Sequence, residues 1–241
     1  MVAERSHRQA RRDDERLFCP GNLPRLRAAV HDLSWLLGRG YAATSTLKLV
    51  GDRYELLARQ RAAVSRCACG DAARERRARH EAAAADLRGR ELLVDGYNLL
   101  TTVQVALAGG VVLRGRDGCY RDLASVHARA RGMAEAIPAA ERLGLSLEHL
   151  GAGTVTWYLD RPVSHSGALA AKLRDIAAAH GWDWQTRLVN DPDPILSRAR
   201  DMVATSDSVI LDRCEYWFGL ARHVIDAEAP DAFVADLGAG P

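Results

Sequence analysis

The sequence has 241 residues, 48% hydrophobic and 27% charged, with a formal net charge of +2. That composition is ordinary for a soluble globular protein of one large or two modest domains. No run of about 18 uncharged apolar residues exists to cross a membrane. The charged N-terminus MVAERSHRQARRDDERLF lacks the apolar core of a signal peptide, so a cytoplasmic location and no membrane partner are expected.

The five cysteines (Cys19, Cys67, Cys69, Cys119, Cys214) are odd in number and scattered, which argues against a disulfide framework. Cys67 and Cys69 form a short pair, but no second Cys/His pair answers it at zinc-finger spacing. Charge is distributed unevenly. Residues 1–90 carry 19 Lys and Arg against 11 Asp and Glu, a net of +8, whereas residues 91–241 carry 14 against 20, a net of −6. The basic part fits either a solvated Arg-rich helical surface or a nucleic-acid footprint.

In chain order, the apolar residues Leu23, Leu26, Val30, Leu33, Leu36 and Leu37 share one helix face that ends at Gly38 or Gly40. The piece from Tyr41 to Leu57 reads as short and irregular or extended. A long helix is predicted from about Tyr54 to Ala85, interrupted near Cys69-Gly70, with the stretch ARERRARHEAAAAD exposed or linker-like. From Glu91 short apolar runs alternate with amphipathic stretches. Strands are predicted at 91–95, 154–160, 185–189, 201–206 and 222–226, and helices near 119–131, 134–150, 167–180 and 208–217. This alternation implies βαβ units and a mostly parallel sheet. The expected division is a basic, mainly helical domain over 1–88 and an α/β domain over 89–241.

Three of the apolar runs end in aspartate: LLVD at Asp95, WYLD at Asp160 and MVATSD at Asp207. Ligands of an open parallel sheet bind outside the carboxyl ends of its strands. Carboxylates gathered there repel one another unless a cation or shared proton offsets the charge. All-oxygen ligands point to Mg²⁺ or Mn²⁺, and such an ion assists attack of water on a phosphodiester. Each aspartate taken singly also fits a turn or a helix cap, as Asp207 does before Ser208.

The motifs VDGYNLL, WYLD and ATSDSVI resemble the three acidic motifs of the PIN-like/NYN nuclease superfamily. More fully, HDLSWLLGRGYAATSTLKLVGDRYELLARQR, LRGRDGCYRDLASVH, LDRPVSHSG and ATSDSVILDR resemble a prokaryotic family that joins a short helical domain of unknown function to a PIN-like domain. The resemblance covers most of residues 20–226. It implies a PIN-like fold with a central, mostly parallel sheet flanked by helices, and metal-dependent cleavage of RNA, or less often DNA. It makes Asp95, Asp160 and Asp207 catalytic metal ligands and places Asn98 beside the site.

For a fourth acid, the candidates are Asp212 and the pair Asp191 and Asp193. Asp212 faces the same site only if Asp207 precedes the intervening helix, since five helical residues turn about 500°. Asp191 and Asp193, flanked by Pro192 and Pro194, read first as a turn. In LRGRDGCYRD, Arg114 and Arg116 are candidate phosphate grips and Asp117 a candidate for the metal pocket. Arg161, Ser164 and Ser166 offer donors at a helix N-terminus, although Ser166 also fits a plain cap. His127 and His165 are candidate general acids. Trp182 and Trp184 fit core packing better than base stacking. An aspartate-phosphatase reading requires an acid where Tyr97 stands.

A metal-dependent nuclease acting on RNA is therefore the first expectation, with the basic domain holding the backbone. A non-catalytic nucleic-acid or nucleotide-binding module is the second, and an interaction protein with a vestigial pocket the third. A homo-oligomer is left open.

Overall fold

The computed structural model describes residues 13–123 and 133–240. By its contacts the chain falls into two compact units: Met1–Ala78, Ala108–Leu123 and Asp231–Pro241 form the first, and Arg79–Leu107 and Ala124–Pro230 the second. The sequence-based expectation was a single division near residue 88. Contacts instead assign two later segments to the N-terminal unit, because their strands complete its core.

In the first unit, α1 (Leu23–Gly38) starts with Pro24 in its first turn and buries Leu26, Ala29, Val30 and Leu33 on one face. It packs on α2 (Ala43–Arg53) and α3 (Ala58–Cys67). The α2 segment is helical where an extended piece was expected. Its sequence is rich in Ser, Thr and Gly, but Thr46, Val50 and Gly51 are buried, and packing overrides weak local preference. The break before α4 (Asp71–His80) falls at Ala68–Gly70, as the sequence indicates.

Strands β2 (Val112–Arg114) and β3 (Tyr120–Asp122) form an antiparallel hairpin, and β8 (Val234–Asp236) joins β2 in parallel. The predicted helix near 119–131 therefore begins as strand, and residues 124–132 lie outside the described part. Leu26, Leu33 and Val64 from the helices share one core with Val111, Leu113, Ala235 and Leu237. Arg27 Nε donates to the Asp236 carbonyl at 2.9 Å, tying α1 to β8.

The Arg-rich α4 is mostly exposed, as its composition suggests, and Arg77 is its buried residue. Arg77 is only 3% exposed and pairs with buried Asp117 at 2.5 Å, while Arg121 contacts the same carboxylate at 2.6 and 2.8 Å. Cys67 and Cys69 are buried free thiols, and burial pushes the Cys67 thiol up to about 12.

The second unit holds a fully parallel sheet in the order β5–β4–β1–β6–β7. Its strands are β1 (Leu92–Asp95), β4 (Val155–Asp160), β5 (Trp184–Val189), β6 (Met202–Ala204) and β7 (Tyr216–Trp217). The central β1 is buried at all four residues, which is why it reads as an unbroken apolar run. Helices α5 (Gly96–Leu107), α6 (Met133–Leu150), α7 (Ser166–His180) and α10 (Leu220–Glu228) flank the sheet.

Residues 222–226, predicted as a strand, lie inside α10. Leu220, Ala221, Val224 and Ile225 bury one helical face, and the short apolar run within it imitates a strand. The helix predicted over 208–217 is only one turn, α9 (Ser208–Leu211), followed by the edge strand β7. Trp182 and Trp184 pack with ring centroids 4.9 Å apart, and the Trp182 ring lies so close to Gly144 that any Cβ there would collide with it. These rings serve packing.

Leu237→Ala is expected to lower stability by about 2–4 kcal/mol through loss of buried apolar surface and the cavity left behind. Urea denaturation of the full chain checks this.

Candidate functional site

Connections run from β1 outward through β4 to β5, and in the opposite direction through β6 to β7. The order reverses between β1 and β6. That switch point opens a crevice outside the carboxyl ends of the two strands, the usual ligand position in a sheet of this kind.

β1 brings Asp95 to this edge, and α5 begins at the next residue. The junction requires glycine. A Cβ on Gly96 would stand 2.5 Å from Leu159 Cδ2 and 2.9 Å from the Tyr158 carbonyl oxygen. On one side of β1, β4 runs in register with Asp95 opposite Tyr158 and continues two residues to Asp160. On the other side, β6 ends at Ala204 and leads into buried Thr205 and Ser206.

Thr205 Oγ1 donates to Asp95 Oδ2 at 2.8 Å and accepts the Asp207 backbone N–H at 3.0 Å. Ser206 donates both its N–H and its hydroxyl to Asn98 Oδ1, at 2.9 and 2.8 Å. Asp207 caps α9, its Oδ1 accepting from Val209 N–H at 2.7 Å. Beyond β5, Asp193 opens the short helix α8 (Asp193–Leu196), and its N–H is held by Asp191 Oδ1 at 3.0 Å. Helices α8 and α9 pack against each other.

The carboxylates interact. Burial pushes Asp95 up to about 7; the Thr205 hydrogen bond opposes the rise, and the charges of Asp207, Asp193 and Asp160 add to it. Asp193 is likewise raised, by burial and then by Asp207, Asp191 and Asp160. Burial and the Asp160 charge push the Tyr97 hydroxyl up to about 12. Four strand ends thus contribute to one acidic field. The fourth member is Asp193, one of the candidates for a fourth acid, although its flanking prolines read first as a turn. Asp212 instead forms the C-cap of α9 and is exposed.

Among the described residues no group of three carboxylates, imidazoles or thiols is arranged to enclose a metal ion. A closed, all-protein cage is therefore not what these side chains build. The donors fit a hard cation of the magnesium kind, which one or two carboxylates hold while it keeps several of its waters. Asp95 matches this arrangement: the side chain is 7% exposed, Oδ2 is taken by Thr205, and Oδ1 accepts no hydrogen bond among the described residues.

The other candidates are placed as follows. Asp117 is committed to Arg77 and Arg121 in the first unit; burial opposes its ionisation, but the two guanidiniums hold it down at about 2. Its carboxylate is spent on these two ion pairs within the first unit, where the sequence reading offered it to the metal pocket. Arg116 is held in the same unit by the Cys69 carbonyl at 3.0 Å and Asp71 at 2.7 Å, and Arg114 stands 3.4 Å from Asp236. Arg161 and Ser164 are exposed on the turn after Asp160, with Arg161 donating to the Leu188 carbonyl at 2.9 Å. Ser166 is buried, its hydroxyl donating to the Arg161 carbonyl at 3.1 Å. His165 is exposed in a left-handed conformation before α7, and His127 lies outside the described residues. Sequence reasoning missed Thr205 and Ser206 as partners of Asp95 and Asn98, although two consecutive hydroxyls between an apolar strand and an aspartate are a visible signal.

The second unit is thus a parallel α/β unit with an acidic crevice at its switch point, the position where sheets of this kind usually take a ligand. Residues 84–223 match the family described as Domain of unknown function (DUF5616), and the chain belongs to it. Residues 25–80 match a second model, described as Protein of unknown function (DUF434). Over 183 residues, 76% of this chain and 87% of the other, the sequence is 30% identical to an uncharacterized protein of Methanocaldococcus jannaschii. No solved structure matches it.

Two outcomes are expected. Because the folded-state pKa of Asp95 lies above its ordinary value of 3.8, protonation favours folding. Its contribution is full below about pH 4 and is lost as pH rises through about 7, amounting to on the order of 4 kcal/mol. In metal-free buffer Asp95→Asn therefore matches the parent near pH 4 and becomes progressively more stable than it towards pH 8, as read from urea midpoints. Asp117→Ala, which strands two buried guanidiniums, is expected to cost about 3–5 kcal/mol at neutral pH in the same assay.

Proposed function

We propose that this chain is a metal-dependent nuclease of PIN-like type that hydrolyses phosphodiester bonds in RNA in preference to DNA. The observation that carries the reading is the acidic field at a switch-point crevice, where Asp95 is raised by burial and then by the charges of Asp207, Asp193 and Asp160. The likeness of VDGYNLL, WYLD and ATSDSVI to three acidic nuclease motifs supports the same chemistry.

In this reading Asp95, Asp160, Asp193 and Asp207 hold Mg²⁺ or Mn²⁺, directly or through its waters. A divalent ion there supplies charge neutralisation and lowers the pKa of a water. The chain's own groups do the rest. Asn98, its carbonyl oxygen taken by Ser206, turns its two amide N–H donors to a substrate oxygen. Arg161, exposed directly after Asp160, offers its remaining guanidinium donors to a phosphate. The surplus of eight basic side chains over residues 1–90 adds a sequence-independent attraction for the nucleic-acid backbone. Backbone attraction without base-reading groups leaves substrate choice to shape and strandedness.

The test is cleavage of end-labelled RNA with Mn²⁺ or Mg²⁺ against EDTA, for the parent and for Asp95→Asn. The parent is expected to cleave only with metal, and the variant to lose on the order of 100-fold or more. A parent without metal-dependent cleavage, or a variant that cleaves equally well, defeats the proposal. Salt-sensitive RNA binding that persists in EDTA, with no cleavage, identifies a non-catalytic binding module instead.

A further inference from the structure

Across the switch point, β1 and β6 are joined by side chains beyond the strand ladder. Thr205 and Ser206 are consecutive, and they hold Asp95 and Asn98, three residues apart at the β1–α5 junction. Thr205 is 4% exposed and its hydroxyl is committed in both senses: its proton goes to Asp95 Oδ2 at 2.8 Å, and its oxygen accepts the Asp207 N–H at 3.0 Å. A hydroxyl has one proton to give, so these two bonds fix its rotor. The same atom thus sets which Asp95 oxygen is reserved and where the backbone of Asp207 stands.

We infer that Thr205 is a positioning residue that ties Asp95 to Asp207 as one unit and leaves Asp95 Oδ1 for a cation, while Ser206 orients the Asn98 amide. The inference rests on the proposed reading of the crevice as a cation-dependent nuclease site. Valine keeps the shape of threonine but can neither donate nor accept. Serine restores the hydroxyl without the methyl group.

The experiment compares the parent with Thr205→Val, Thr205→Ser and Ser206→Ala in the full chain, using Mn²⁺ alone as the first probe. Thr205→Val is expected to lose the Mn²⁺-induced rise in Tm and to lower kcat for RNA cleavage by about 10- to 100-fold, the usual cost of removing a group that orients a metal ligand. KM is expected to stay within about twofold. Thr205→Ser recovers both readouts. Ser206→Ala keeps the Mn²⁺ increment and raises KM, and it carries the test of the Ser206–Asn98 half if Thr205→Val does not fold. A merely structural threonine gives a different result: a lower metal-free Tm with the Mn²⁺ increment and kcat intact, which overturns the inference. Hydrogen exchange at the Asp207 amide separates this inference from the reading of the site. Thr205→Val accelerates it by about tenfold or more if the tie exists, even in a protein that binds no metal; unchanged exchange overturns the tie itself.

Discussion

The carboxylate of Asp95 is buried at the end of the central strand with three other carboxylates in its field. Removing a charge from water is costly, and like charges nearby increase the cost. Local structure offsets part of it. Thr205 donates one hydrogen bond, and α5 starts at the next residue. Gly96 allows that helix to begin so close to β4. The remaining cost falls to a proton or to a cation from solution, and this dependence is what makes the crevice a functional candidate and not merely a turn.

The first unit handles a buried aspartate in the opposite way. Asp117 has two guanidiniums within ion-pair distance, and its pKa is displaced downward where that of Asp95 is displaced upward. Both side chains are almost fully removed from solvent. The difference lies in whether the chain itself supplies the counter-charge. Where it does, as at Asp117, removal of one partner strands the others, and the residue serves stability. Where it does not, as at Asp95, the fold carries an electrostatic cost that a proton offsets, and the pKa is displaced upward. The same contrast separates Asp193, raised by burial and then by its acidic neighbours, from Asp212, which caps an exposed helix end.

Much of the second unit was legible because parallel strands buried on both faces read as apolar runs, and an aspartate closing such a run breaks its pattern. Asp95 and Asp160 were readable in that way, and Asp207 through the motif it closes. Asp193 was legible only as one of three candidates for a fourth acid, because Pro192 and Pro194 announce a turn and only the sheet order brings that turn to the crevice. Asp117 was misread because its partner Arg77 lies 40 residues earlier, in a helix with almost no apolar periodicity. The α2 helix and the strand predicted at 222–226 failed for a shared reason. Short segments take their state from what they pack against: α2 buries Val50 against its neighbours, and α10 buries Val224 and Ile225 along a helical stripe.

The family matches follow the sequence linearly, 25–80 and then 84–223, whereas the compact units do not. The chain passes between units at 78–79, 107–108, 123–124 and 230–231. The N-terminal helices bury their apolar face against strands that come after the first catalytic candidate, Asp95, and near the C-terminus. Neither unit is thus a contiguous stretch that can be cut out at residue 88. Dividing the chain there removes β2, β3 and β8 from one core and leaves their apolar residues without partners in the other fragment. In sequence, the hairpin of the first unit is inserted between α5, which begins at Gly96, and the later strands of the parallel sheet.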